Sequence, residues 1–210
     1  MQISAEIRWF WQGRCPSDFR ERFCTAGVDI CSAGGGCKRI DHYFRDLEQS
    51  ELGIKLRGDK RGVEVKGLIA NLQPLSAGPF GGEIQLWGKW TSLSLQLDPE
   101  STLKVEKFRW QRKFDTSFPM PKEIALDTDE QPINSERLPT VGCNVELTDI
   151  TVGHHHDDRW WTFGLESFGP LHTLEISLRS VAEALTSRPY SICRDGMLSS
   201  YPMWLLGLKT

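Results

Sequence analysis

Several short segments of this chain alternate a charged residue with an apolar one, and their basic residues recur two positions apart. The basic residues of these segments are Arg8, Lys55, Arg57, Lys66, Lys107 and Arg109. The acidic residues of similar segments are Glu6, Glu64, Glu146 and Glu166. Arginine grips phosphate oxygens through two nitrogens, and lysine acts as a compact point charge. Several converging cations favour a polyanion such as a triphosphate over a single carboxylate.

The four glutamates have two open interpretations. They could neutralise the basic residues, because buried like charges repel one another in an empty site. They could instead hold a hard divalent cation, Mg²⁺ or Mn²⁺, through their oxygens. In that case the metal would neutralise phosphate oxygens, and attack by water would hydrolyse the phosphate.

β-strands must position these residues, because successive side chains of a strand point to opposite faces. The predicted strands span residues 3–11, 38–46, 52–57, 62–69, 83–95, 102–114, 142–152 and 158–168. Eight strands can close a barrel around a ligand-sized interior, and closure removes exposed edges. With the charged face inward, the product is a polar tunnel. The alternative is a half-buried sheet with a wet, charged outer face and cross-strand salt bridges.

Turn signals predict how neighbouring strands pair. We expect antiparallel pairs between 52–57 and 62–69, between 83–95 and 102–114, and between 142–152 and 158–168. Helices are predicted at 16–26 and 171–185, the second from a stripe of apolar residues at helical spacing. The segments 71–82 and 117–139 contain several prolines and are predicted to be loops.

Composition indicates one mainly β (α+β) domain over residues 1–210. The net charge of −3 provides no global basic field that would recruit nucleic acid or an anionic membrane. No apolar run approaches the roughly 20 residues of a membrane span, and the N-terminus lacks a secretory pattern, so the default location is the cytoplasm. The six cysteines form no CxxC pair and are predicted to be free thiols. The run 154–158, HHHDD, is either a solvated turn or a metal site.

Seven segments, in chain order, resemble motifs of the CYTH superfamily, the triphosphate tunnel enzymes. They are 41–46 (DHYFRD), 52–58 (LGIKLRG), 63–67 (VEVKG), 105–109 (VEKFR), 145–147 (VEL), 164–166 (GLE) and 200–202 (SYP). This resemblance implies an eight-stranded antiparallel β-barrel or tunnel with a few flanking helices. It also implies a metal-dependent phosphohydrolase of a small triphosphate, of the inorganic triphosphate or thiamine triphosphate type. The basic residues named above would hold the phosphates, the glutamates would hold the metal, and Lys66, Arg57 and Arg109 would be catalytic.

The first strand departs from the opening ExExK signature of that family. It has Glu6, but Arg8 and Phe10 stand at the positions of the second glutamate and the lysine. A cation at Arg8 repels Mg²⁺ by several kcal/mol at low effective dielectric, whereas it adds a charge for phosphate. An alternative function is therefore a non-catalytic binder of a polyphosphate or nucleotide on the same fold. A third alternative is an interaction module whose charged face is merely wet.

Overall fold

The computed structural model describes residues 1–25, 36–45, 48–58, 61–127, 131–133, 137–153, 159–187 and 195–208. The run 154–158 and two of the six cysteines, Cys31 and Cys193, lie outside the described residues. The remaining four cysteines are free thiols.

Twelve strands and three helices make up the regular structure of the described residues. The strands are β1 (Gln2–Gln12), β2 (Cys37–Phe44), β3 (Leu52–Arg57), β4 (Val63–Asn71), β5 (Leu75–Ala77), β6 (Phe80–Gly82), β7 (Gln85–Ser92), β8 (Thr102–Asp115), β9 (Lys122–Ile124), β10 (Gly142–Val152), β11 (Arg159–Phe168) and β12 (Met197–Leu198). The helices are α1 (Ser17–Thr25), α2 (Leu174–Leu185) and α3 (Tyr201–Gly207). None of these helices is both long enough and apolar enough to cross a membrane.

Eight of the strands form a closed antiparallel barrel. Their order is β10-β11-β1-β7-β4-β3-β2-β8, and β8 pairs again with β10, which completes the ring. Strands β9 and β12 pair with the barrel strands β8 and β1 respectively, and β5 and β6 form a separate hairpin. The eight-stranded tunnel architecture that the charge pattern and the resemblance predict is therefore confirmed.

One predicted strand pairing is wrong. Strand β7 pairs with β1 and β4, and β8 pairs with β2 and β10, so the segments 83–95 and 102–114 do not form a hairpin. Both edges of β7 are taken by the strands that continue the ring, and the connection to β8 has to cross to the other side of the barrel. The two predicted loops also contain short strands, the β5–β6 hairpin and β9. The other two predicted hairpins, β3–β4 and β10–β11, are confirmed.

The outer face of the barrel carries the main hydrophobic core. On β1 the odd-numbered residues lie outside the barrel, and the buried ones, Ile7 and Trp9 among them, belong to one hydrophobic cluster with Leu178 of α2 and Phe19 of α1. Each such side chain contributes about 1.5–3 kcal/mol when it leaves water. Because the strand period is two, packing of the odd residues outside forces the even residues of β1 into the barrel. The covering helices thus determine which side chains reach the interior.

A charged cavity inside the barrel

A cavity of about 110 Å³ lies inside the barrel, and its walls hold all ten residues that the sequence predicts for the site. Two further cations, Arg39 and Lys89, line the same cavity. Eight basic and four acidic side chains therefore surround it, and the buried carboxylate of Asp41 lies behind them. The eight basic side chains outnumber the five carboxylates, although the chain as a whole carries a net charge of −3. The cavity is locally cationic, as an anion site requires.

The basic residues two apart on one strand share the inner face, as the alternation predicts. Lys55 and Arg57 stand on β3, opposite Tyr43 and Asp41 of β2. On β8, which lies on the other side of β2, Lys107 and Arg109 are likewise separated by one outward-facing residue. All eight strands of the ring contribute residues to the cavity, so it is a product of ring closure rather than of any local motif.

Asp41 is the anionic centre of one cationic cluster. It is fully buried, and its carboxylate lies within 3.1–3.2 Å of the charged nitrogens of three residues, Arg39, Lys55 and Lys107. Burial acts to raise the pKa of Asp41, but the charges of Lys107, Lys55 and Arg39 outweigh it and hold that pKa well below its usual range. Asp41 is therefore ionised at neutral pH and fixes the positions of these cations.

Lys66 and Lys89 form a second group of cations, directly opposite each other on β4 and β7. Lys66 makes an ion pair with Glu6, and Lys89 Nζ lies 4.0 Å from Glu166 Oε1. Like charges that face each other across a sheet are destabilising. An anion between these two lysines would relieve that repulsion.

Glu146 is held between two arginines. Its Oε1 accepts hydrogen bonds from Arg8 Nη1 at 2.8 Å and from Thr148 Oγ1 at 3.0 Å, and its Oε2 accepts one from Arg109 Nη1 at 3.3 Å. Burial acts to raise the pKa of Glu146, but the charges of Arg8 and Arg109 prevail and hold the pKa well below its usual range. Both oxygens of this carboxylate thus already have partners.

The four glutamates predicted as metal ligands each lie near a basic side chain in this arrangement. Glu6, Glu64 and Glu146 each make a close ion pair with a lysine or arginine. Within the described part of the chain, no three His, Cys, Asp or Glu side chains group together as ligands for a metal ion. Glu166 has the loosest contact of the four glutamates, its 4.0 Å approach to Lys89. In this arrangement Glu6, Glu64 and Glu146 neutralise basic residues, and a role as metal ligands stays a prediction.

Helix α3 closes one end of the cavity. Ser200 caps the helix, its Oγ accepting from Met203 N at 3.3 Å, and this places Tyr201 at the cavity floor. Phe10 stacks on Trp204 of α3 at 5.0 Å between ring centroids, and both side chains are buried. Because Phe10 follows Arg8 by two positions on the inner face, the barrel interior changes from charged to aromatic at this level. Phe10, which departs from the family signature, belongs to this aromatic closure.

At the floor of the cavity, two cations lie over the aromatic ring of Tyr201. Lys107 Nζ lies 3.7 Å from the centroid of the Tyr201 ring, and Arg8 Cζ lies 5.1 Å from it. Cations above an aromatic face gain electrostatic stabilisation from its quadrupole. Burial raises the pKa of Tyr201 to about 12, so the ring stays neutral at physiological pH.

A larger cavity of about 720 Å³ lies on the other side of α3. Its walls are mostly apolar and include Leu103, Val152, Trp160 and Leu205, with none of the ten predicted site residues. Size therefore does not identify the site here, and the chemistry is concentrated in the smaller cavity.

Four polar side chains of the cavity wall and the buried Asp41 were not predicted as site residues; the four are Arg39, Tyr43, Lys89 and Tyr201. Arg39, Asp41 and Tyr43 alternate on β2, so the two-residue period that singled out the other strands was also present there. Lys89 lies between Trp87 and Trp90 on β7, and with these tryptophans the strand shows no clear alternation of charged and apolar residues. Tyr201 belongs to the 200–202 segment of the resemblance, but only the fold places its ring in the cavity.

No family model matches the chain, and no curated protein matches it. Among solved structures, the RNA triphosphatase Pct1 of S. pombe is similar, with a TM-score of 0.45 and 10% identity over 89% of this chain and 80% of that chain. The structure of Pct1 in complex with the Spt5 CTD gives a TM-score of 0.44 and 13% identity over 92% of this chain and 83% of that chain. At TM-scores this low the barrel assignment stands on the strand pairing described above.

Proposed function

We propose that this chain binds a triphosphate group in the charged cavity of its barrel. The observation that supports the proposal is the convergence of eight basic side chains from six strands on a single cavity of about 110 Å³. A monoanion would leave most of these charges uncompensated, whereas a triphosphate presents many oxygens along a short chain. The facing lysines Lys66 and Lys89 are the part of the wall that gains most from such a ligand.

The ligand is a small molecule or the end of a larger one, because α3 closes the cavity on one side. A phosphate chain that enters from the open side meets the ring of Tyr201 at the floor. Lys66, Arg57 and Arg109 are proposed to contact its phosphates, together with Arg8, Lys55 and Lys107. The outer part of the ligand would then lie towards Glu166 and Lys89, the least buried of the cavity ion pairs.

Calorimetric and thermal-shift titrations with inorganic triphosphate test this proposal. A ligand that binds only the native state at one hundred times its Kd adds about 2.7 kcal/mol to stability. We expect Lys66→Ala to weaken binding by at least about tenfold, because it removes a charge-assisted contact. Lys104→Gln is the matched control: Lys104 also stands on a barrel strand, but it pairs with Glu106, away from the cavity. Equal affinities of the Lys66 and Lys104 variants would contradict the proposal.

Hydrolysis of the bound triphosphate with Mg²⁺ or Mn²⁺ is a second candidate function. One observation favours it: Glu6 and Glu166 stand directly opposite each other on β1 and β11, and both line the cavity. Mg²⁺ commonly enters phosphate sites through one or two carboxylates together with the phosphates themselves. These two glutamates could therefore receive a cation that arrives with the ligand.

Release of free phosphate from inorganic triphosphate, thiamine triphosphate and nucleoside triphosphates tests this second function. The assay compares Mg²⁺, Mn²⁺ and chelator, with the Glu166→Gln and Lys104→Gln variants in parallel. This second function predicts metal-dependent release that Glu166→Gln lowers and Lys104→Gln leaves unchanged. Binding without release under every condition would leave a triphosphate-binding protein. The absence of nucleic-acid and membrane partners and the cytoplasmic location stay predictions.

A further inference from the structure

The barrel wall is shaped around Arg8. Arg8 of β1 faces Gly164 of β11, and Glu146 of β10 faces the same Gly164 from the other side. Since Gly164 has no side chain, Arg8 Nη1 passes over β11 to reach Glu146 Oε1 at 2.8 Å. A Cβ at position 164 would stand only 2.8 Å from Arg8 Cζ. The ion pair thus occupies space that a side chain at position 164 would fill.

Other contacts fix the guanidinium of Arg8 in this place. Its Nη1 also donates a hydrogen bond to Thr162 Oγ1 at 3.0 Å, and its Cζ lies over the ring of Tyr201. Arg8 is only 9% exposed, and burial acts to lower its pKa, but the negative charge of Glu146 outweighs burial and raises the pKa above its usual value. Arg8 therefore carries a fixed positive charge whose position does not depend on a ligand.

Arg8 still has donors to offer an anion. Within the described part of the chain, its hydrogen bonds to Glu146 and Thr162 both leave from Nη1, and the residue lines the cavity. Nε and Nη2 are the other two donor atoms of the guanidinium. A fixed cation that presents donors to phosphate oxygens supplies the charge neutralisation that a divalent metal would otherwise supply.

We propose that Arg8, held by Glu146 above Gly164, acts as a built-in counter-charge, so that the cavity binds a triphosphate group free of divalent metal. This inference rests on the proposed triphosphate binding and adds the form of the ligand, the free polyanion rather than its metal complex. Magnesium bound to the ligand lowers its negative charge and brings a second cation close to Arg8. Excess Mg²⁺ should therefore weaken binding or leave it unchanged.

Isothermal titration with inorganic triphosphate, in chelator and in excess Mg²⁺, tests the inference. We expect the wild-type protein to bind in chelator at least as tightly as in Mg²⁺. Arg8→Glu reverses the charge at this position, so its affinity in chelator should fall by at least about a hundredfold. The same variant should bind the triphosphate more tightly in Mg²⁺ than in chelator, because the new carboxylate can hold the Mg²⁺ that accompanies the ligand. Circular dichroism establishes that the variant is folded.

Gly164→Ala provides a second variant. It changes no charge and adds a side chain of only one carbon. Its methyl group displaces the flexible end of Arg8, and we expect roughly tenfold weaker binding in chelator. Lys104→Gln, away from the cavity, should bind as the wild type does. The inference is overturned if the wild type binds triphosphate only with Mg²⁺, or if both Arg8→Glu and Gly164→Ala bind as tightly as the wild type in chelator. Absence of binding by the wild type under both conditions would remove the proposed function itself.

Discussion

Lys107 Nζ lies 3.1 Å from Asp41 Oδ2, and both side chains contact the hydroxyl of Tyr43. Tyr43 Oη accepts a hydrogen bond from Lys107 Nζ at 2.7 Å and approaches Asp41 Oδ2 at 3.4 Å. The ionised carboxylate of Asp41 therefore fixes the position of Lys107 in the cavity wall. The same aspartate holds Lys55 at 3.2 Å, so one buried acid orients two of the proposed phosphate ligands.

Asp41→Asn should destabilise the protein by about 3–5 kcal/mol, because it removes the buried carboxylate that pairs with Lys107, Arg39 and Lys55. Chemical denaturation with urea at neutral pH measures this loss. Glu106→Gln is the control, since Glu106 pairs with Lys38 and Lys104 on the outer surface, where ion pairs contribute about 1 kcal/mol or less. A loss below about 1 kcal/mol for Asp41→Asn would show that the cluster does not depend on this carboxylate.

Acid should destabilise the native protein through the same buried carboxylates. The pKa values of Asp41 and Glu146 are lower in the folded protein than in the unfolded chain, where carboxyl groups titrate near about pH 4. Their stabilising contribution is thus fully present above that pH and is lost as the pH falls towards the folded-state values. Urea denaturation from neutral pH to about pH 2 should show this decline. Glu146→Gln should have a shallower decline than the wild type, and parallel curves would contradict the prediction.

The inward-facing charges were predictable because strand alternation is local. Lys55 and Arg57, or Lys107 and Arg109, can be assigned to one face from spacing alone, and the structure places both pairs in the cavity. The actual partners of the strands in 83–95 and 102–114 were not predictable in the same way. Sequence proximity favours a hairpin, but which strands flank β7 depends on how β1 and β4 meet it across the ring.

The partners of the glutamates depend on the fold rather than on the strand pattern. The contact between Arg8 and Glu146 spans 138 positions of sequence and requires β11 to lie between their strands. No periodicity reveals such a contact, so the sequence left open whether Glu146 holds a metal ion or neutralises a basic side chain. The carboxylate of Asp41 was hidden for a similar reason, because its role depends on Lys55 and Lys107 arriving from two other strands.

Phe10→Ala should destabilise the protein by about 3–5 kcal/mol through loss of the aromatic closure beneath the cavity. The Phe10 ring is fully enclosed and stacks on Trp204, with Tyr201 edge-on to it at 5.3 Å. Thermal and urea denaturation measure the effect. Met203 lies on the exposed side of α3, the helix that contains Trp204. Met203→Ala should therefore change stability by no more than about 0.5 kcal/mol. Similar losses for the two variants would mean that α3 is not anchored through Phe10.

Lys89→Gln should separate ligand binding from stability. Lys89 faces Lys66 across β4 and β7, and its contact with Glu166 is a loose one of 4.0 Å. Removal of its charge relieves a repulsion, so the unliganded variant should be at least as stable as the wild type, within about 0.5 kcal/mol. The same change removes a cation from the cavity and should weaken triphosphate binding by about tenfold. Calorimetric titration and urea denaturation of the wild type, Lys89→Gln and Lys104→Gln measure both quantities. Unchanged triphosphate affinity in Lys89→Gln would place the ligand away from the facing lysines.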